Sequence, residues 1–166
     1  RYEAEGVHSF ELWPIGSREL PPFAAGAHID LHLAPGLVRS YSLSNSQDER
    51  HRYVVGVNKD RNSRGGSRHV HEKLKVGDML SISAPRNNFP LCETAEHTVL
   101  IAGGIGITPL WCMVQRLREL DRSWELFYSA RNRQSAAFLD ELRALGEPAR
   151  SRLRLNFDQE SGGKYL

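Results

Sequence analysis

The chain has few cysteines, no long apolar run and no surplus of charge of either sign. Cys92 and Cys112 are the only thiols in 166 residues, too few for a disulfide framework, a four-cysteine zinc site or an iron–sulfur cluster, so both read as ordinary buried thiols. No apolar stretch approaches the roughly 18 to 20 residues that a membrane span needs, and no charged and apolar leader opens the chain. The expectation is a soluble, cytoplasmic protein without a membrane partner. Lys plus Arg number 22 against 20 Asp plus Glu, interspersed along the chain, so the basic footprint of a nucleic-acid binder is missing. With 14 Gly and 8 Pro the composition is that of a globular protein rather than a disordered or collagenous one.

What is present falls into two textures. Residues 7–91 form short alternating runs, among them Ile29 to Leu33, Tyr53 to Val57 and Met79 to Ser83, broken at Pro35-Gly36, Asn45 to Asp48 and Gly77-Asp78. Period-two patterning with such breaks predicts antiparallel strands closing into a barrel or sandwich. One short helix fits, from about Arg68 to Leu74, with Ser67 as its cap. After Glu96 the pattern changes. Thr98 to Ala102 is apolar without alternation, as in a strand buried on both faces of a parallel sheet. A glycine-rich turn, Gly103 to Gly106, leads to a helix with Thr108 as N-cap and Pro109 at the first helical position. A second strand (Trp124 to Tyr128), a helix carrying Phe138, Leu139, Leu142 and Leu145 in its core face, and a third strand (Leu153, Leu155, Phe157) complete a β-α-β-α-β unit, half of a doubly wound nucleotide-binding sheet. The division expected is residues 1–95 and residues 96–166. The second part is incomplete as given: the chain starts at Arg1 without Met, and stops at Leu166 just after Gly162-Gly163, where mobility or cleavage is expected.

Two constellations carry chemistry. In Gly103-Gly104-Ile105-Gly106-Ile107-Thr108-Pro109, glycines let the backbone approach a diphosphate and the free N–H groups of the helix start favour negative charge. The loop is not the G-x-G-x-x-G fingerprint, since Pro109 stands where the third glycine would be, and no acid ends the second strand. The other is Arg39-Ser40-Tyr41-Ser42 with Arg64-Gly65-Gly66-Ser67-Arg68. A guanidinium, a hydroxyl and a glycine-bounded helix start converging on one spot form a site for a phosphate dianion, and Tyr41 offers a face to a flat ring. Arg61, Arg64 and Arg68 add cations near that turn. His69-Val70-His71 has too short a spacing for two metal ligands on one helix face, and no metal is expected. Asp158, at a strand end, reads as a turn residue.

These motifs occur in one order with Pro85-Arg86-Asn87-Asn88-Phe89-Pro90-Leu91 between them. Together they resemble the ferredoxin–NADP reductase superfamily, most of all its phthalate dioxygenase reductase group, which includes vanillate demethylase reductases; the similarity runs from about Val7 to the last residue. The resemblance implies a six-stranded antiparallel Greek-key barrel that binds FMN, a following domain that binds NADH, and a C-terminal ferredoxin domain with a two-iron two-sulfur cluster, which would lie beyond Leu166. It places Arg39 and Ser40 on the FMN phosphate and ribityl chain. Tyr41 and Ser42 fall beside the isoalloxazine, the Ser42 hydroxyl within reach of the ring edge, and Val57, Asn58 and Lys59 line the flavin. Gly65, Gly66 and Ser67 hold the phosphate, Gly104, Gly106 and Pro109 shape the NADH diphosphate loop, and Thr108 lies near the flavin. Ser129 and Arg131 fall where the adenosine ribose is recognised. Ser40 stands where relatives often carry Thr, and the segment that completes the nicotinamide pocket would follow Leu166.

The reading is therefore an NADH-dependent flavoprotein reductase that passes electrons to an iron–sulfur acceptor and a terminal oxygenase, with Ser42 and Thr108 nearest the chemistry. Two other readings stand beside it: a FAD-type ferredoxin or flavin reductase, and a non-catalytic flavin-binding module. By the generic rule Arg131 favours NADPH, whereas the resemblance favours NADH.

Overall fold

A computed structural model describes residues 1–145 and 151–160; Gly162-Gly163 lies outside them. The first half holds six strands: β1 (Tyr2–Ala4), β2 (Val7–Leu12), β3 (His28–Ala34), β4 (Leu37–Ser42), β5 (Tyr53–Asn58) and β6 (Ser81–Ile82). They pair antiparallel in two sheets, β1-β2-β5 and β4-β3-β6. Alternation explains the layers. Ile29, Leu31 and Leu33 of β3 are buried while Asp30 and His32 face outward, and Tyr53, Val55 and Val57 of β5 are buried from the same core. The sheets meet at a corner where Leu43 bridges Val55, with a second junction in which His28 and Arg86 exchange both backbone hydrogen bonds, 2.9 and 3.0 Å. The expected run from Met79 to Ser83 is a strand only at Ser81–Ile82, and Met79 is exposed.

A short helix, α1 (Gly66–Glu72), closes one end of this core with the buried Val70. It begins before Ser67, because Gly65, in the left-handed conformation at φ 92°, already turns the chain into the helix. Ser67 is thus inside the first turn rather than its cap. Its hydroxyl accepts from the Asp60 amide at 3.2 Å and lies 3.0 Å from the Ser63 hydroxyl.

The second half runs β7 (His97–Gly103), α2 (Ile107–Glu119), β8 (Ser123–Ala130), α3 (Leu139–Ala144) and β9 (Ser151–Phe157), with the parallel order β7-β8-β9. A 3-10 turn over Gly104–Gly106 precedes α2, so Gly106 is its cap and Pro109 its third residue, a place where the missing N–H still costs no intrahelical bond. The expected burial of β7 on both faces is not met by the described residues. Leu100 and Ala102 are buried, but Val99 and Ile101 are 54% and 68% exposed. On the same open face Arg154 stacks over Phe127 and pairs with Glu125 at 2.6 Å. Phe138, Leu139 and Leu142 are core, as expected.

The halves are joined closely. Gln115 of α2 donates to the Ser44 carbonyl (2.9 Å), Ser46 donates to Glu119 (2.8 Å), and Arg116 forks onto Glu93 (2.9 and 3.1 Å). At Gly26 (φ +95°) a Cβ would lie 1.9 Å from the Phe89 carbonyl oxygen and 2.9 Å from Met113 of α2. No helix among the described residues is long and apolar enough to cross a membrane.

Candidate functional site

On β4 the side chains alternate, and the register decides which can cooperate. Arg39 and Tyr41 stand opposite the inward Leu31 and Ile29, whereas Ser40 stands opposite Asp30 on the other face. Ser40 is thus on the face away from Arg39; its hydroxyl donates to Asp30 at 2.6 Å, and Arg86 pairs with the same carboxylate at 2.6 Å. Those two donors hold the Asp30 carboxyl below the usual carboxylate range.

Arg39 itself meets α1, as the motif spacing suggested. Its guanidinium donates to the Val38 and Arg64 carbonyls (2.7 and 3.0 Å), and its stem lies flat on Gly66, where a Cβ would fall 2.5 Å from Cγ and 2.7 Å from Nε. A Cβ at Gly66 would force the Arg39 side chain to shift. Tyr41 is half-buried, and burial raises its phenol above its ordinary value. Ser42 ends the strand opposite His28.

Beyond β5 a cleft of about 1140 Å³ opens between the halves. Asn58, Lys59 and Arg61 line it from one side and Gly104, Ser129 and Arg131 from the other. Lys59 pairs with Glu72 of α1 at 3.0 Å. Val57 does not present its side chain there, since it is fully buried in the core; only its backbone is at hand. The glycine loop at the head of α2 is bare: a Cβ on Gly103, Gly104 or Gly106 would meet nothing within 4 Å, and of these only Gly104 (φ +49°) needs glycine for its backbone. Internal packing thus leaves open the surface that a ligand's phosphates would cover.

Thr108 is placed differently from the expectation. Its hydroxyl donates back to the Ile105 carbonyl at 3.0 Å and the residue is buried, so no hydroxyl is offered to the cleft. Its methyl instead packs toward β5, where a Cβ on Gly56 would lie 2.6 Å from Thr108 Cγ2 and 3.5 Å from the Phe138 ring. Gly56 escaped the sequence reading because its neighbours are some fifty and eighty residues away in the chain. Phe138 adopts φ 58°, a conformation uncommon for a bulky residue.

At the ends of β8 and β9, Asp158 is more than a turn residue. Its Oδ1 accepts from the Ser129 hydroxyl (2.9 Å) and from the Asn156 amide (2.8 Å), and it lines the cleft with Arg131. An acid one strand later than the generic rule places it would have been found by testing the third strand end as well as the second. The cysteines divide: Cys112 is buried and its thiol is pushed up to about 12 by desolvation, whereas Cys92, expected buried, is exposed, with its thiol lowered by the Thr94 hydroxyl.

Two antiparallel sheets thus face a parallel three-stranded sheet across a cleft bordered by a bare glycine loop. The oxidoreductase NAD-binding domain family matches residues 100–164. Tetrachlorobenzoquinone reductase of Sphingobium chlorophenolicum is 55% identical over 163 residues, 98% of this chain and 50% of that protein. Vanillate O-demethylase oxidoreductase of Pseudomonas putida is 49% identical over 158 residues, 95% and 49% of the two chains. The crystal structure of phthalate dioxygenase reductase, described as modular for electron transfer from pyridine nucleotides to [2Fe-2S], superposes with a TM-score of 0.91 at 38% identity, covering 99% of this chain and 51% of that one. Over nearly its whole length the chain resembles the phthalate dioxygenase reductase-like group of the ferredoxin–NADP reductase superfamily. It spans about half the length of the relatives it matches.

Proposed function

We propose that residues 1–95 bind FMN, that residues 96–166 bind NADH, and that the protein works in the cytoplasm as the reductase of an oxygenase system. The observation that supports the FMN reading is Arg39 laid on Gly66, a cation held at a turn where a Cβ would displace it. That cradle suits one terminal phosphate dianion. When bound, FMN supplies the chemistry, taking a hydride from NADH and releasing electrons singly to an iron–sulfur acceptor. The protein's own residues align and exclude. Arg39 and Gly65 to Ser67 hold the phosphate, Tyr41 covers one flat face, and Ser42 with the Asn58–Lys59 end of β5 borders the ring. Gly104, Gly106 and Pro109 shape the loop for the NADH diphosphate, while Thr108 fixes that loop's distance from β5 through its methyl rather than its hydroxyl. A two-iron two-sulfur domain would belong to the length that the relatives have beyond this chain, and a terminal oxygenase is the acceptor such a domain serves.

Asp158 favours NADH. A carboxylate braced by Ser129 and Asn156 accepts from a ribose hydroxyl and repels a 2′-phosphate, which outweighs the exposed Arg131. Acid extraction of the yellow protein should release FMN; stoichiometric FAD would overturn the assignment, and a chain that takes up no flavin would overturn the function.

A further inference from the structure

The sequence His69-Val70-His71 offers no metal site, yet His71 is not an idle surface residue. It stands in the last turn of α1 and its Nε2 lies 2.9 Å from the carbonyl oxygen of Val57 on β5. A carbonyl only accepts, so Nε2 carries the proton and donates. The ring also stacks on His8 of β2, centroids 4.8 Å apart and planes 27° from parallel, and meets the edge of Phe10 at 5.8 Å. His8 and Val57 are themselves a directly opposed pair across β2 and β5. One imidazole thus clamps the helix to both members of a single rung of the sheet.

That rung adjoins the proposed flavin site. β5 continues from Val57 into Asn58 and Lys59 on the cleft wall, and α1 begins at Gly66 beneath Arg39 and ends at Glu72, paired with Lys59. The distance between Arg39's cradle and the flavin-lining strand depends on how α1 lies on β5. We infer that His71 is a positioning residue of the flavin site, which holds α1 on β5 as a neutral ring and releases it when the ring becomes charged. This rests on the reading of residues 1–95 as a flavin module.

The groups around the ring decide the sign. A second positive charge would sit against the His8 ring on β2, with Lys59 beyond the end of β5, and the nearby Glu72 is already engaged by Lys59; the other side of His8 is met by Tyr2 of β1. Burial above all, with His8 and Lys59 adding to it and the Val57 carbonyl and Glu72 opposing, holds the docked imidazole below the ordinary histidine value of 6.5. An undocked ring keeps that ordinary value. The clamp is therefore whole above about pH 6.5 and weakens as pH falls through 6.5 toward the docked value.

The test compares the flavin-loaded chain with its His71→Gln and His71→Leu variants, measuring FMN affinity by flavin fluorescence from pH 8 to pH 5 and amide exchange of α1 over the same range. Gln retains a donor for Val57 without titrating; Leu retains the apolar contact and loses the donor. At pH 8 the Gln variant should bind FMN as the parent does and the Leu variant several-fold more weakly. On acidification the parent should lose several-fold more affinity than either variant, and exchange in α1 should quicken in the parent alone. Protonation of the FMN phosphate dianion on acidification weakens binding equally in all three, so only the difference is read. Parallel pH profiles, or α1 exchange insensitive to pH, would overturn the clamp. If no variant and no parent took up FMN, the flavin reading would fail by itself, and α1 exchange would still decide whether His71 clamps the helix.

Discussion

The two halves of the molecule solve the same problem to different extents. The antiparallel half encloses its core between two sheets and α1, leaving Ile29, Leu43, Val55 and Val70 wholly buried. The parallel half buries one face of its sheet, with α2 packed against β7 and β8, and leaves Val99 and Ile101 open on the other, on a strand paired along one edge among the described residues. Apolar β-branched residues side by side on an open sheet face are positions built to be covered. The lesson is that one half closes its layers on themselves while the other, among the described residues, leaves one face of its sheet open.

The contrast is most sharply broken at the joint. Gly26→Ala would place a Cβ within 1.9 Å of a backbone oxygen at a φ that L residues avoid, and should cost about 3 kcal/mol or more. Calorimetry should find Tm lowered by roughly 6 to 12 °C, with both halves melting together; separate transitions would show that the halves are independent.

Arg39→Ala tests the finished half without unfolding it. Loss of a charge-assisted contact to a dianion should weaken FMN binding by about 1.5 to 3 kcal/mol, roughly 10- to 150-fold in Kd, whereas Arg61→Ala should change it little. Flavin titrations that ranked the two in reverse would name the wrong anchor. On the open half, Ile101→Thr should shift the stability of this chain by no more than about 0.5 kcal/mol, while in a chain extended to the relatives' length, where the face is covered, it should cost about 1 kcal/mol or more. Equal effects in both would mean that nothing covers the face.

The smallest effect expected is that of Ser40→Ala. It should leave FMN affinity within about twofold, since the hydroxyl turns away from Arg39, a change near the resolution of one lost exposed contact. It should instead soften the acid limb of stability. The Asp30 carboxyl is held low chiefly by Ser40 and then Arg86, so its contribution is present above about pH 4 and lost as pH falls through the lowered value. Without Ser40 that loss should be smaller and complete at a higher pH, as acid titration by circular dichroism would show.

Much of this was legible where the signal is local. The apolar run at Thr98 to Ala102, the glycine loop and the alternation of Ile29 to Leu33 each report their own backbone, and each lies where its pattern placed it. Helix starts were less legible: Gly65 and Gly106 begin α1 and α2 by conformation, while Ser67 and Thr108, with hydroxyls suited to capping, fall inside the first turns. The facing of Ser40 was legible too, because neighbours on a strand point to opposite faces and Arg39 with Tyr41 already occupied one of them. Gly26 and Gly56 were not legible, since what a side chain would meet there is Phe89 or Thr108, arriving from a distant part of the chain.

The close approach at Gly56 has one more consequence. Along β5 the odd-numbered residues Tyr53, Val55 and Val57 fill the core of the antiparallel half, while Gly56 and Asn58 face the parallel half and the cleft. A single strand is therefore a party wall read in two alphabets: substitutions at odd positions register as lost stability of one core, and those at Gly56 and Asn58 as altered spacing across the cleft, so that a random library confined to six residues would separate the two effects by parity alone.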